Sequence, residues 1–299
     1  MTAIQPLAAR VRPAPTGFIF LAIMSLGAGI NYPVQKLLLT EWPPMSARGL
    51  SGFAAALALA VIAFSLRQNL RVSRAMWPRL VISALLNITA WELMMGFALL
   101  FLPAGEAAIL AYTMPAWASL FAWLLLGERL TWRRVLGLAM AFAGLVALMG
   151  GNTIQASMAK LPGMLLALAT AIAYALGTVF LKRWPIAMPS VSSAAWQLGI
   201  GCLPVAILGL ILERPDIAAL SALGWSLIAY NIVVQQCVGF VCWLLALQRL
   251  PASVAATGTM LVPVIGVIAS AVVLGEPLGA AQIAALIFTT ASVALAVRS

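Results

Sequence analysis

The sequence of 299 residues contains no histidine, a single aspartate (Asp216) and three lysines. Without histidine the chain lacks the commonest zinc ligand and the commonest catalytic base, which excludes a zinc protease and a Ser-His hydrolase. An intramembrane aspartyl protease would need two aspartates. An ATP-driven transporter would need a GxxxxGKS/T loop, and no such stretch occurs. We therefore expect no enzyme activity, no catalytic residues, no metal and no cofactor.

Charged residues are also scarce. They make up 8% of the chain, while 64% of it is hydrophobic and the mean hydropathy is +1.08. A soluble domain carries roughly 25% charged residues, so this chain cannot cover a surface that faces water. The composition therefore predicts an all-α integral membrane protein whose main partner is the lipid bilayer. The net charge of +10 is spread over short clusters without a basic face, so nucleic acid is not expected as a partner.

Ten apolar runs, each of about 20 residues or slightly more, are long enough to cross ~30 Å of hydrocarbon. The first run is too long for a cleaved signal peptide, so we expect it to be retained. Thirteen Lys and Arg residues fall on one side of the ten runs and three on the other, with Arg48 inside the second run. This asymmetry predicts a multi-pass protein of the cell inner (plasma) membrane with both termini in the cytoplasm. The predicted spans are 17–37, 45–66, 78–101, 104–126, 131–150, 162–183, 190–212, 223–248, 252–274 and 279–297.

The second half of the sequence matches the first at an offset of 148 residues. Each half contains five spans, an odd number, so the two halves should enter the membrane in opposite directions. Inverted repeats of this kind are typical of secondary transporters, although a duplicated channel or receptor is an alternative. The predicted organisation is a tail at 1–16, a first repeat at 17–150, a linker at 151–161 and a second repeat at 162–299. The matched stretches are 103–108 with 251–256, Pro115 with Pro263, and Leu-Gly-Glu at 126–128 with 274–276.

The repeated Leu-Gly-Glu stretches are predicted to be turns. Gly127 and Gly275 should each end a helix, and Glu128 and Glu276 should favour the N-terminus of the helix that follows. The predicted topology places the two glutamates on opposite faces of the membrane. They therefore cannot share a site.

Several of these features resemble the EamA-type proteins of the drug/metabolite transporter superfamily. They are the 5+5 layout, Leu-Pro-Ala at 102–104 and 250–252, LLLGERLTW at 124–132, and Ala47-Arg48 at the start of the second span. One departure is Leu26-Gly27, where the family often has Trp-Gly. The resemblance implies an exporter of small metabolites, and best fits the branch that exports amino acids, aromatic ones included. A sugar-phosphate, nucleotide-sugar or drug exporter of the same fold is the alternative, and a membrane protein without transport activity is a weaker one.

Paired helix interruptions at corresponding positions are the best sequence indicator of a transporter's binding site. Pro115 and Pro263 lie near the middle of the fourth and ninth spans, and each removes one backbone hydrogen bond. They are predicted to be kinks or hinges, with Tyr112 and Thr257 lining a cavity at the same depth. Packing of neighbouring helices around an ordinary kink is the alternative.

The third and eighth spans supply further candidates. Asn87 and Trp91 are four residues apart and should share a face, and the repeat places Gln235 opposite Asn87. Amides can pair with both the ammonium and the carboxylate of an amino acid, although they also hold helices together in membranes. The predicted substrate-binding set is completed by Asn31, Tyr32, Tyr174 and Trp196, the last with an interfacial role as its alternative.

Glu92 is the acid nearest the middle of a span. An ionisable residue inside a membrane is a functional candidate, and Glu92 could bind and release a proton as access alternates. A hydrogen-bonded structural glutamate is the alternative. Arg48 and Lys36 lie near span ends, where they can extend their charged groups towards water or meet a substrate carboxylate.

Overall fold

The computed structural model describes residues 15–128, 131–150, 154–250 and 259–297, and all regular elements in these ranges are helical. Three π-helical segments, Leu85–Thr89, Gly209–Glu213 and Asn231–Val238, continue or join α-helices. The α-helices are α1 (Pro15–Leu38), α2 (Pro44–Ser65), α3 (Trp77–Ala84), α4 (Ala90–Phe101), α5 (Ala104–Ala111), α6 (Met114–Leu126), α7 (Trp132–Gly150), α8 (Ile154–Arg183), α9 (Ser190–Leu208), α10 (Ala222–Tyr230), α11 (Gly239–Arg249), α12 (Leu261–Leu274) and α13 (Ala280–Val297).

These helices confirm the prediction of an all-α membrane protein. Within the described ranges, seven helical segments are long and apolar enough to cross a membrane. Three shorter apolar segments accompany them, namely Val135–Leu148, Leu261–Leu274 and Ala280–Leu295. The number of ten spans and the orientation of the termini stay predictions.

Helix α8 begins earlier than the sequence predicted. It starts at Ile154, inside the predicted linker 151–161, and runs for 30 residues to Arg183. The stretch IQASMAK at 154–160 contains no glycine or proline that would stop a helix, and several of its residues favour helix formation. The polar stretch therefore extends the helix, and Lys160 on it pairs with Glu106 across a distance of 2.8 Å.

Corresponding helices of the two halves pack in equivalent ways. Helix α2 packs along α9, and α7 packs along α13. Helix α1 packs against α11 and α12, whereas α8 packs against α4 and α6. The offset between the halves carries α1 onto α8, α4 onto α11 and α6 onto α12, so each contact has a counterpart. The described helices thus follow an approximate two-fold relation around a common interior.

Side chains of one half also cap helices of the other half. The carboxylate of Glu213 accepts hydrogen bonds from the backbone N–H groups of Met45 and Ser46, at 3.0 and 2.7 Å, near the start of α2. In the corresponding place, Gln68 Oε1 accepts from the backbone N–H of Ser192 at 3.3 Å, near the start of α9. Because the first N–H groups of a helix have no partner within it, both contacts tie the halves together.

The Leu-Gly-Glu turns are confirmed in one respect and corrected in another. Gly127 and Gly275 end their helices with φ values of +68° and +66°, a conformation that glycine adopts at little cost. The expectation that Glu276 stabilises the N-terminus of the helix that follows it is wrong. Its carboxylate accepts from the backbone N–H groups of Ala104 and Gly105, at 2.6 and 3.0 Å, at the start of α5. Glu128 pairs with Lys182.

The Glu276 cap gives a stability prediction. We expect Glu276→Ala to lower the free energy of unfolding by about 1 kcal/mol, because two N–H groups at a buried helix start lose their acceptor. Glu276→Gln keeps one acceptor oxygen and should lose less. Thermal unfolding of the purified protein in detergent measures both variants. Equal melting temperatures for Glu276→Ala and the unmodified protein would contradict the capping role.

Candidate functional site

A small cavity of about 80 Å³ lies in the interior of the helical assembly. It is bounded by α1, α2, α4, α12, the π-helical segment Asn231–Val238 and the break between α5 and α6. Pockets that hold small-molecule ligands usually measure roughly 300–1,000 Å³, so this cavity must widen to admit a substrate. Its wall is formed by Ala28, Asn31, Tyr32, Gln35, Arg48, Trp91, Met95, Leu99, Tyr112, Gln235 and Val262.

Helical periodicity explains how two helices supply most of this wall. Helix α1 contributes residues 28, 31, 32 and 35, which follow the i, i+3, i+4, i+7 spacing of one helix face. Helix α4 contributes residues 91, 95 and 99, each separated from the next by four positions. The first face is mostly polar and the second is apolar. The cavity therefore has one hydrogen-bonding side and one hydrophobic side.

The polar side of the cavity carries buried atoms that have no hydrogen-bond partner in the protein. They are Asn31 Oδ1, Tyr32 Oη, Gln35 Oε1 and Gln235 Oε1. Buried polar atoms in folded proteins are nearly all hydrogen-bonded, to protein groups or to ordered water. Four unpartnered atoms around one cavity indicate a place built for a polar ligand or for water. After rotation of its terminal group, each amide can offer a donor as well as an acceptor.

A buried ion pair stands at the edge of this polar side. Arg48 and Glu92 are 3% and 5% exposed, and Arg48 Nε lies 2.8 Å from Glu92 Oε2. The Nε–H bond does not point at the carboxylate, so the contact is a charge pair rather than a directed hydrogen bond. Arg48 lines the cavity, whereas Glu92 lies behind it and accepts a 3.5 Å hydrogen bond from Gln236.

The position of Arg48 corrects the expectation that it extends towards water at a span end. Its side chain passes over Gly96 of α4, where a Cβ atom would lie 2.8 Å from Arg48 Cδ and 3.4 Å from Pro44 Cβ. The missing side chain at Gly96 leaves the room in which the guanidinium turns inward. Lys36 does not extend freely either. It donates to the backbone carbonyls of Leu99 and Leu102 near the end of α4.

The structure brings five of the nine predicted substrate-binding residues to the cavity wall, and a sixth packs against that wall. Tyr174 of α8 contacts the ring of Trp91 edge to face, with the ring centroids 5.4 Å apart. Thr257 lies outside the described residues. The five residues on the wall are Asn31, Tyr32, Trp91, Tyr112 and Gln235. Their role in binding stays a prediction.

Asn87 and Trp196 do not line the cavity. Asn87 lies in the π-helical segment Leu85–Thr89 and packs against Gly177 of α8, the helix whose Tyr174 contacts Trp91. Its Nδ2 donates to Ser83 Oγ at 3.2 Å. Trp196 donates from Nε1 to the carbonyl of Leu70 at 2.9 Å and lies at an apolar groove between α2 and α9. Both residues are therefore placed between helices.

The first predicted hinge lies beside a helix interruption, and the second lies at the start of a helix. Helix α5 ends at Ala111, and α6 begins at Met114, so Pro115 lies in the first turn after a break at Tyr112 and Thr113. Pro263 likewise lies in the first turn of α12. Proline is tolerated there because the first N–H groups of a helix have no intrahelical partner. The role of the two prolines as hinges stays a prediction.

Sequence reasoning missed several residues of the wall. Gln35 follows Asn31 by four positions and could have been found by extending that helix face. Leu99 follows Trp91 by eight positions on α4. The inward position of Arg48 could not be found in this way, because it depends on the space that Gly96 of another helix leaves.

The fold and the cavity define a polytopic α-helical membrane protein with a polar interior site, which is the architecture of a small-molecule transporter. The family model of the EamA-like transporter family matches residues 15–150 and again residues 161–298. The chain therefore belongs to the EamA-like transporter family, and it is a membrane transporter rather than an enzyme.

Individual relatives agree with the family. The chain is 31% identical to the uncharacterized transporter YvbV of Bacillus subtilis, with 93% of this chain and 90% of the relative covered. It is 26% identical to a protein of Salmonella typhimurium named a probable amino-acid metabolite efflux pump, with 92% of each chain covered. A crystal structure of a protein with 21% identity superimposes with a TM-score of 0.66, covering 95% of this chain and 96% of that one. The last comparison supports the fold alone.

Proposed function

We propose that this protein exports amino acids, which bind in the cavity around Arg48. The observation that carries the proposal is the composition of the cavity wall. It combines a buried guanidinium, four unpartnered buried oxygen atoms and an apolar side. An α-amino acid has the matching groups, namely a carboxylate, an ammonium with three N–H donors, and a side chain.

Each group of the substrate has a chemically suitable partner. The planar guanidinium of Arg48 suits a carboxylate, which it can hold through two parallel hydrogen bonds. The oxygens of Asn31, Gln35 and Gln235 can accept the three N–H bonds of the ammonium. Trp91 and its apolar neighbours on α4 offer hydrophobic contact, and aromatic rings pack well edge to face. We propose that apolar amino acids, including aromatic ones, are preferred.

A phosphate-bearing substrate fits this wall less well. A phosphoryl group is usually held by several arginines or lysines. Among the described residues of the cavity wall, Arg48 is the one cationic side chain, and Glu92 already balances it. A drug that carries no carboxylate would offer no anionic partner to Arg48. The relative from Salmonella carries a name that points to amino-acid metabolites.

We propose that the chain crosses the inner membrane ten times, as two inverted repeats, and that both termini lie on the cytoplasmic side. The double match to one family model and the equivalent helix contacts support a repeat. The proposed bounds are 17–150 and 162–299, joined by 151–161. The clustering of arginines between α2 and α3, at Arg67, Arg71 and Arg74, supports a cytoplasmic location of that loop.

We propose alternating access as the transport mechanism. Polar contacts join helices at both ends of the molecule. At one end Lys182 pairs with Glu128, and at the other the carboxylate of Glu276 caps the start of α5. Glu276 corresponds to Glu128 at the offset of 148 residues, and Lys36 corresponds to Lys182 at an offset of 146 residues. Rocking of the two halves about Pro115 and Pro263 would open one end of the molecule, while the polar contacts at the other end would stay formed.

Counterflow into proteoliposomes tests the substrate class. Vesicles that contain the purified protein and an excess of unlabelled phenylalanine should accumulate labelled phenylalanine, and empty vesicles should not. A panel of small, branched and aromatic amino acids then ranks the preference. Sugar phosphates serve as the negative control. Accumulation of a sugar phosphate without any amino acid would overturn the proposal. Resistance of expressing cells to a toxic amino-acid analogue would test the outward direction.

The same vesicles test whether Glu92 couples transport to protons. A pH gradient imposed across the membrane should change the rate for the unmodified protein if transport is coupled. Glu92→Gln should then abolish this response. A response that is unchanged in Glu92→Gln would remove Glu92 from the coupling mechanism.

A further inference from the structure

Glu92 contacts Arg48 but is not one of the residues that form the cavity wall. Its carboxylate lies 2.8 Å from Arg48 Nε, and its second oxygen is near Gln236 Nε2 at 3.5 Å. Because Glu92 is outside the cavity wall of this structure, we assign it no direct contact with the substrate. It acts on the cavity through its negative charge.

We propose that Glu92 sets the charge selectivity of the cavity, so that only substrates of zero net charge are transported well. This inference rests on the proposed function, because it assumes that the substrate binds at Arg48. The ion pair supplies one positive and one negative charge. The other described residues of the wall carry amide, phenol or apolar side chains. The charges of the described wall residues and of Glu92 therefore sum to zero.

A binding site without net charge in the interior of a membrane favours a substrate without net charge. Charge interactions are weakly screened away from water, so one uncompensated charge in the cavity is costly. A zwitterionic amino acid adds its carboxylate near Arg48 and its ammonium near the amide oxygens, and the total stays zero. A carboxylic acid without an ammonium adds a net negative charge, and an amino-acid amide adds a net positive one. Both leave a charge without compensation.

The geometry keeps Arg48 available for this role. Gly96 and Pro44 flank its side chain, and a Cβ at Gly96 would lie 2.8 Å from Arg48 Cδ. The Nε atom of the guanidinium meets Glu92, and Arg48 also lines the cavity, where its terminal nitrogens are the groups assigned to the substrate carboxylate. Glu92 is thus a positioning residue for the guanidinium and the source of the compensating charge.

The test compares three probes of similar shape and different net charge. Phenylalanine is neutral overall, 3-phenylpropionate is negative, and phenylalanine amide is positive at a pH where its amino group is protonated. The unmodified protein should transport phenylalanine at least tenfold faster than either analogue. In Glu92→Gln the site gains a net positive charge, and the ratio of 3-phenylpropionate to phenylalanine rates should rise at least about tenfold. Glu92→Asp keeps the charge and should keep the preference for phenylalanine.

A second variant tests the same idea with the opposite sign. Gln235→Glu is nearly isosteric and adds a negative charge to the wall, so the preference should shift towards phenylalanine amide. Because it leaves the Arg48–Glu92 pair intact, this variant remains informative if Glu92→Gln does not fold. An unchanged ranking of the three probes in the folded variants would overturn the inference while phenylalanine transport supports the proposed function. No amino-acid transport by the unmodified protein would overturn the proposed function itself.

Discussion

Replacing Arg48 with methionine is expected to reduce phenylalanine counterflow by roughly 10- to 150-fold, because a hydrogen bond to a charged group is worth ~1.5–3 kcal/mol. The substrate carboxylate would lose the one cationic side chain among the described residues of the cavity wall. Arg48→Lys keeps the charge but loses the planar fork that holds both oxygens, so an intermediate rate is expected.

The single variant also leaves Glu92 buried without its partner, which can destabilise the fold by ~3–5 kcal/mol. The double variant Arg48→Met with Glu92→Gln removes both charges and separates folding from function. It should elute as a single species in detergent and melt near the temperature of the unmodified protein. It should also show the reduction in phenylalanine counterflow that is expected for Arg48→Met. Transport by this double variant at the unmodified rate would show that Arg48 takes no part in binding.

A large effect on folding is also expected from Gly49→Ala, at the crossing of α2 and α9. A Cβ at Gly49 would lie 2.7 Å from Ala206 Cα and 2.8 Å from the carbonyl carbon of Val205. These are backbone atoms, so the helices themselves must move apart. Overpacking of this kind costs ~1–3 kcal/mol, occasionally more. We expect a clear fall in melting temperature, and weaker transport because Arg48 is the adjacent residue.

Gly199→Ala is the matched control on the same pair of helices. The nearest atom to a Cβ at Gly199 is Ala56 Cβ at 3.8 Å, an ordinary contact. Alanine favours a helix over glycine by ~1 kcal/mol in solution, so this variant should be as stable as the unmodified protein or more so. Equal melting temperatures for the Gly49 and Gly199 variants would contradict the close helix crossing.

The class of fold could be predicted from the sequence because lipid imposes few choices. Long apolar runs become helices, and glycine at 127 and 275 ends two of them as predicted. The start of α8 was misjudged because a polar stretch can be a loop or an extended helix, and composition alone does not decide between them. Glu276 was assigned to the wrong helix because the partner of a turn residue depends on tertiary packing.

The candidate site could be predicted where a single helix face carries it. Asn31 and Tyr32 are neighbours on the face of α1 that lines the cavity, and Trp91 lies on the corresponding face of α4. The assumption of regular 3.6-residue turns placed Asn87 beside Trp91. Both residues do face α8, where Asn87 packs against Gly177 and Trp91 contacts Tyr174, but of the two only Trp91 reaches the cavity wall. Which part of a helix face borders an internal cavity depends on how the other helices pack, and the sequence pattern of one helix does not contain that information.

Competition during counterflow tests the central claim, that the cavity around Arg48 binds an amino acid through both of its charged groups. Vesicles that contain the unmodified protein would be loaded with unlabelled phenylalanine. Labelled phenylalanine would then be added outside, together with an excess of unlabelled phenylalanine, 3-phenylpropionate or phenylalanine amide as the competitor. We predict that phenylalanine abolishes the labelled signal and that neither analogue reduces it by more than a small fraction. Equal competition by all three compounds would contradict recognition of the carboxylate and the ammonium at this cavity.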